Sequence, residues 1–136
     1  MSIERDRRLT VLLIMYAVAS LLHFVHNAEF LAEYPNLPAS WTRAGVYLAW
    51  VGLSAVGLAG WLMLSRGYQR VGLALICAYA LLGIDSLGHY AVAPLSAHTS
   101  AMNATIILEV VMAMGVFIEA MRRIVRRTFR ASASGA

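Results

Sequence analysis

Charge is scarce in this chain of 136 residues: Asp, Glu, Lys and Arg make up 13% of it, against about 25% in a soluble globular domain. Lysine is missing altogether, so all 11 cations are arginines. The single cysteine, Cys77, lies inside an apolar run. That excludes a disulfide framework and any cysteine-based metal motif. There is no Gly-rich phosphate loop, nucleophile elbow or Cys/His zinc motif. What is plentiful is apolar: 60% of residues are hydrophobic and the mean hydropathy is +0.69. Those numbers also exclude a disordered chain, a collagen and a coiled coil. The class that survives is a small integral membrane protein of one domain.

A spanning helix needs about 20 predominantly apolar residues. Four windows qualify, at about 9–32, 44–65, 71–93 and 101–124. The connections between them are short, which predicts an all-α, four-helix up-down membrane bundle. The tail at 131–136 is small and polar and is expected to fray. The start has features of a secretory signal, with Arg5, Arg7 and Arg8 before an apolar stretch and Ala17-Val18-Ala19 as a cleavage candidate. The apolar run continues to Phe30, so the expectation is an uncleaved helix.

The arginines are distributed unevenly. Arg5, Arg7 and Arg8 precede the first segment, Arg66 and Arg70 sit between the second and third, and Arg122, Arg123, Arg126, Arg127 and Arg130 follow the fourth. Only Arg43 belongs to the other side. The positive-inside rule then predicts both termini in the cytoplasm, with a bacterial inner (cytoplasmic) membrane as the location. The net charge of +4 reflects this bias and is no argument for nucleic acid. Trp41, Tyr47 and Trp50 at one end of the second segment, with Trp61 and Tyr68 at the other, match aromatic belts. This segment has no ionisable group between Ala44 and Ser65, and its small residues (Gly45 with Ala49, Ala55 with Ala59) suit close helix packing.

Seven acids and four histidines remain to be explained. Glu4 and Asp6 are terminal, Glu33 suits the outer interface, and Glu119 is placed for an ion pair with Arg122 or Arg123. The residues that packing does not explain are His23, His26, Glu29, Asp85, His89, His98 and Glu109. A charge inside a bilayer costs at least about 2.5–3.5 kcal/mol and usually marks function. At about 1.5 Å of rise per residue, His23, Asp85 and Glu109 fall in one layer about 18–21 Å above the cytoplasmic boundary. His26 and His89 come higher, with Glu29 and His98 at the mouth. Asp85 and His89 share a face at i and i+4, as do His26 and Glu29 at i and i+3. Met102, Thr105, Glu109 and Met112 form a stripe on the fourth segment, and Asn27 and Asn103 can add hydrogen bonds. Pro94 ends the third segment just past His89, leaving His98 free to fold back as a lid, and Gly83 and Gly88 allow a kink or a close approach.

Imidazoles and carboxylates on separate helices are how bundles build metal sites. The set His23, His26, Glu29, Asp85, His89, His98 and Glu109 is read first as an outward-facing site for a transition metal (zinc, copper or iron) in a metalloenzyme or a metal-handling accessory subunit. Without metal, His26, Glu29, Asp85 and Glu109 are candidates for the acid–base chemistry of a lipid isomerase or a proton-coupled transporter. A structural subunit held together by polar packing is the third reading. Ser20 and Ser86 near the histidines also leave a zinc-dependent lipid hydrolase open. Expected partners are the lipid bilayer and a lipid or small-molecule ligand, with a homo-oligomer or larger membrane complex compatible with the segments.

Phe24-Val25-His26-Asn27-Ala28-Glu29-Phe30, followed by Tyr34-Pro35-Asn36-Leu37-Pro38, resembles the HXXEE membrane proteins, small multi-helix proteins of unassigned biochemical function. The resemblance covers the first third of the chain and carries His26 and Glu29 only, because Phe30 stands where the second Glu would be. Asp85-x-x-x-His89 with His98 downstream is similar to the copper-ligand pattern of the C subunit of membrane ammonia and methane monooxygenases, where the last spacing and the chain are longer. The helix count with a His/Glu pair near mid-depth also resembles the EXPERA fold of sterol isomerases, whose specific motifs do not align here.

Overall fold

A computed structural model describes the backbone of residues 3–134 and the side chains of residues 7–128. The described chain is helical and contains no strand. Its long helices are α1 (Ile3–Glu29), α2 (Arg43–Ser65), α3 (Gln69–Ile84) and α5 (Ser100–Ser134), and a short α4 (Gly88–Val92) continues the line of α3. Four stretches among the described residues are long and apolar enough to cross a membrane: Arg7–Glu29, Arg43–Ser65, Gln69–Val92 and Ser100–Thr128. α1 and α5 thus extend past the expected windows, α1 at its start and α5 at its end. Of the tail expected to fray, the helix includes 131–134, and residues 135–136 lie outside the described residues.

Helix neighbours follow chain order, with α5 closing the ring onto α1. Contacting pairs show the directions. Gly57 meets Tyr79 and Gly60 meets Ile76, so α2 and α3 are antiparallel. Arg8 meets Glu119 and His23 meets Glu109, so α1 and α5 are antiparallel too.

The turns have local causes. Thr42 caps α2, its hydroxyl accepting the Gly45 N–H at 3.0 Å. α2 stops at Gly67, whose φ of +89° only glycine adopts without strain. Gly67 N–H donates to Leu64 O and Tyr68 N–H to Met63 O, the paired bonds of a Schellman motif. Thr99 accepts the Met102 N–H and starts α5. The expected third segment is not one helix. α3 ends at Ile84, residues Asp85–Leu87 form a 3-10 turn, and α4 resumes at Gly88.

The core is packed around Tyr16, which is fully buried and donates to the Tyr79 carbonyl at 3.0 Å. A Cβ at Gly83 would overlap the Tyr16 hydroxyl, so this glycine is what admits the ring. On α2 the buried small residues are Gly57 and Gly60, against Tyr79, Ile76 and Gly72, rather than the Gly45/Ala49 and Ala55/Ala59 pairs expected from spacing. Below this core Glu119 is buried with Arg123, Nε to Oε1 at 3.1 Å, and Arg8 approaches Oε2 at 3.7 Å. The expected local ion pair therefore forms with Arg123, and α1 joins it.

Candidate functional site

The polar residues gather beyond the core, where α1, the α3–α4 break and the start of α5 meet. Glu109 is fully buried at their centre. Its Oε2 accepts from the Ser86 hydroxyl at 2.6 Å and lies 3.7 Å from His23 Nε2. Its Oε1 is buried with no hydrogen-bond partner. Ser20 on α1 faces the same carboxyl, its buried hydroxyl making no hydrogen bond with the described residues. His23 is itself buried, with Nδ1 3.5 Å from the Thr105 hydroxyl. Both of its nitrogens therefore face α5.

The break after Ile84 decides which side chains meet. Depth alone set Asp85 in the layer of His23 and Glu109. In the 3-10 turn it is Ser86 that points at Glu109, while Asp85 lines a cleft of about 530 Å³ between α1, α2 and the broken segment. Asp85 is exposed there and makes no hydrogen bond or ion pair with the described residues. His89, His23, Asn27 and Ser86 line the same cleft, and Trp41 stands at its wall.

His89 is the junction of the site. Its ring packs edge-on against His23 at 5.3 Å and His98 at 6.2 Å, and tilted against Tyr34 at 5.1 Å, measured between ring centres. Its Nε2 lies 3.4 Å from Asn27 Nδ2. An amide that donates to Nε2 leaves the ring proton on Nδ1. His98 does fold back over the site: it is buried, Nδ1 bonds the Pro94 carbonyl at 3.1 Å, and Nε2 is buried without a partner.

His26 and Glu29 stand apart from this group. His26 Nδ1 is 3.0 Å from the Tyr34 hydroxyl and its ring stacks on Phe30. Glu29 is drawn to α2, where Arg43 reaches Oε1 at 2.6 Å and Tyr47 donates to it at 2.7 Å. The i, i+3 spacing put these two on one face, but each has its own neighbour. Among the described residues no three His, Cys, Asp or Glu side chains are grouped closely enough to hold one metal ion.

Tyr34 is the functional residue that sequence reasoning missed. It lies in the connection between α1 and α2, yet it is buried as the roof over His89 and His26. Burial pushes its hydroxyl up to about 12 from an ordinary value near 10. The available signal was an aromatic residue beside a proline that fixes the turn. Tyr90 was also overlooked; it donates to Asn103 Oδ1 at 2.9 Å, and Asn103 in turn donates to the carbonyls of Leu95 and His98. This network pins the loop that carries His98. The chain matches no family model, no curated protein and no solved structure.

Proposed function

We propose that this is an integral membrane protein with both termini in the cytoplasm, whose outer half carries an acid–base site for a small or lipid ligand. Ten arginines on one side of the spans against one on the other support the orientation. Asp85 carries the reading of the site: an unpaired carboxylate inside a membrane-spanning stretch, on a cleft wall beside His89. Packing gives no reason to keep a carboxylate there, and contact with a ligand does.

The roles follow from which groups have hydrogen-bonding capacity left. Asp85 is the base that meets the ligand. His89, with its proton on Nδ1, is the matching acid. One removes a proton from a ligand atom and the other returns one elsewhere, so an isomerisation balances with no oxidant, reductant or co-reactant. Glu109 lies behind the cleft wall, and His23 lines the cleft with both nitrogens turned to α5, so both are positioning residues. Ser86 donates to Glu109 and to no imidazole, so it is not set up as a histidine-activated nucleophile.

The test is proton exchange at carbon. The protein is placed in nanodiscs with a bacterial polar lipid extract, transferred to heavy water, and the lipids are analysed by mass spectrometry. Wild-type protein should introduce carbon-bound deuterium into a lipid, and Asp85→Asn and His89→Gln should not. No deuterium in any lipid would overturn the acid–base reading.

A second reading, transition-metal binding, rests on a different observation. His23, His89 and His98 form a row, and His98 Nε2 is buried with nothing to bond. Zinc, copper or iron takes imidazoles of this kind, with Asp85 as an oxygen ligand. It ranks second because no three-residue ligand group is assembled among the described residues. Stoichiometric metal at neutral pH that is lost in His89→Ala would put it first. Protein without metal, whose melting temperature added zinc, copper or iron does not raise, would remove it.

A further inference from the structure

The cleft at Asp85 has a neighbour in the same helix seam. Along the seam between α1 and α2 a second cleft of about 320 Å³ follows it, lined by Leu13, Ile14 and Ala17 of α1 and Leu58 and Trp61 of α2. Both volumes are in the range of ligand sites. The two clefts differ in chemistry. The outer one holds Asp85, His89 and Asn27, whereas the deeper one has no ionisable side chain but Tyr79. From Asn27 to Thr10, which also lines the deeper cleft, α1 runs about 26 Å. That is the length of an extended hydrocarbon chain.

We infer that the α1–α2 seam holds the chain of a long-chain lipid whose head carries no negative charge and donates a hydrogen bond, as a hydroxyl does. This rests on the ligand-site reading of the Asp85 cleft and names the class of its ligand. Two acceptors at the polar end select the head. Asp85 is an unpaired carboxylate, and Asn27 Oδ1 is buried with no donor to satisfy it. An anionic head would meet like charge in a region of low dielectric, whereas a hydroxyl donates its one proton to Asp85 or to Asn27 Oδ1. The chain then lies against α1 and α2, reached sideways from the bilayer.

Photo-crosslinking tests this in nanodiscs. The probes are a long-chain primary alcohol with a diazirine at the chain end and the sulfonate of the same chain. The alcohol should label peptides within 10–17 and 54–61, saturably, and excess unlabelled alcohol should chase it. The sulfonate should label at least about tenfold more weakly, the size of a single buried charge repulsion. Asp85→Asn should remove that difference. Ala17→Phe, which fills the deeper cleft, should abolish the chain-end label; if that variant does not fold, the Asp85→Asn comparison still decides. Labelling that is unsaturable, equal for both heads, or spread over outward residues such as Leu48 and Val51 would overturn the inference. If that happens while Asp85-dependent deuterium uptake persists, the acid–base reading stands and only the lipid class falls.

Discussion

The Ser86 hydroxyl donates to Glu109 Oε2 across 2.6 Å, tying the break after α3 to the first third of α5. Glu109 is fully buried, so removing the donor leaves a carboxyl with less compensation. Ser86→Ala should cost about 1–3 kcal/mol, measured by denaturant unfolding in detergent. Combined with Glu109→Gln the losses should fall short of additive, because both changes break one bond. Additive losses would mean that the two side chains act independently.

Close packing between α2 and α3 depends on Gly57. A Cβ there would lie 2.5–2.9 Å from atoms of the Tyr79 ring, which is buried and cannot step aside. Gly57→Ala should therefore destabilise the fold by about 1–3 kcal/mol. At Gly52, on the same helix, a Cβ meets nothing within 4 Å. Gly52→Ala should leave stability unchanged or raise it, since alanine favours the helix. Equal effects at the two positions in an unfolding assay would count against this packing.

Tyr34 gives the protein an alkaline dependence. Its hydroxyl is pushed from about 10 up to about 12, chiefly by burial. A group that ionises less readily when folded stabilises fully below its unfolded value, and that contribution drains away as pH rises through the folded one. The wild type should thus lose stability between pH 10 and about 12 relative to Tyr34→Phe, whose profile lacks this component. Parallel melting curves for the two proteins across that window would refute the assignment.

The orientation is tested by reporter fusions. Fusions at Ala136 and in the α1–α2 loop at Ser40 should report opposite compartments, the first cytoplasmic. An external signal at Ala136 would turn the polar cluster toward the cytoplasm and reverse the proposed access.

The helical class, the four helices long and apolar enough to cross a membrane, and most of the clustered residues could be read from hydropathy and the cost of buried charge. Three things could not. The first is the 3-10 turn at Asp85–Leu87, which exchanges the neighbours expected for Asp85 and Ser86; a change in helix winding leaves no periodic trace over three residues. The second is the separation of His26 and Glu29, because spacing fixes a shared face but not the partners that Tyr34 and Arg43 supply from outside the helix. The third is the burial of Tyr34, which depends on how the loop folds over α4 and α5. Gly83 and Pro94 were legible as interruptions, but the tyrosine that Gly83 admits was not.

At 35 residues, α5 is about 52 Å long, whereas the hydrocarbon of a bilayer is about 30 Å thick. About 20 Å of rigid helix must therefore stand clear of the hydrocarbon. The arginines favour the C-terminal end, since Arg122, Arg123, Arg126 and Arg127 all lie within its last 13 residues. In the proposed orientation the protein is not flush with the membrane on that side. It raises a charged mast through the headgroup layer, anchored at its foot where Arg123 and Arg8 hold Glu119. Anything approaching that face meets the mast before it meets the bundle, and a thicker or thinner bilayer changes how much of it protrudes.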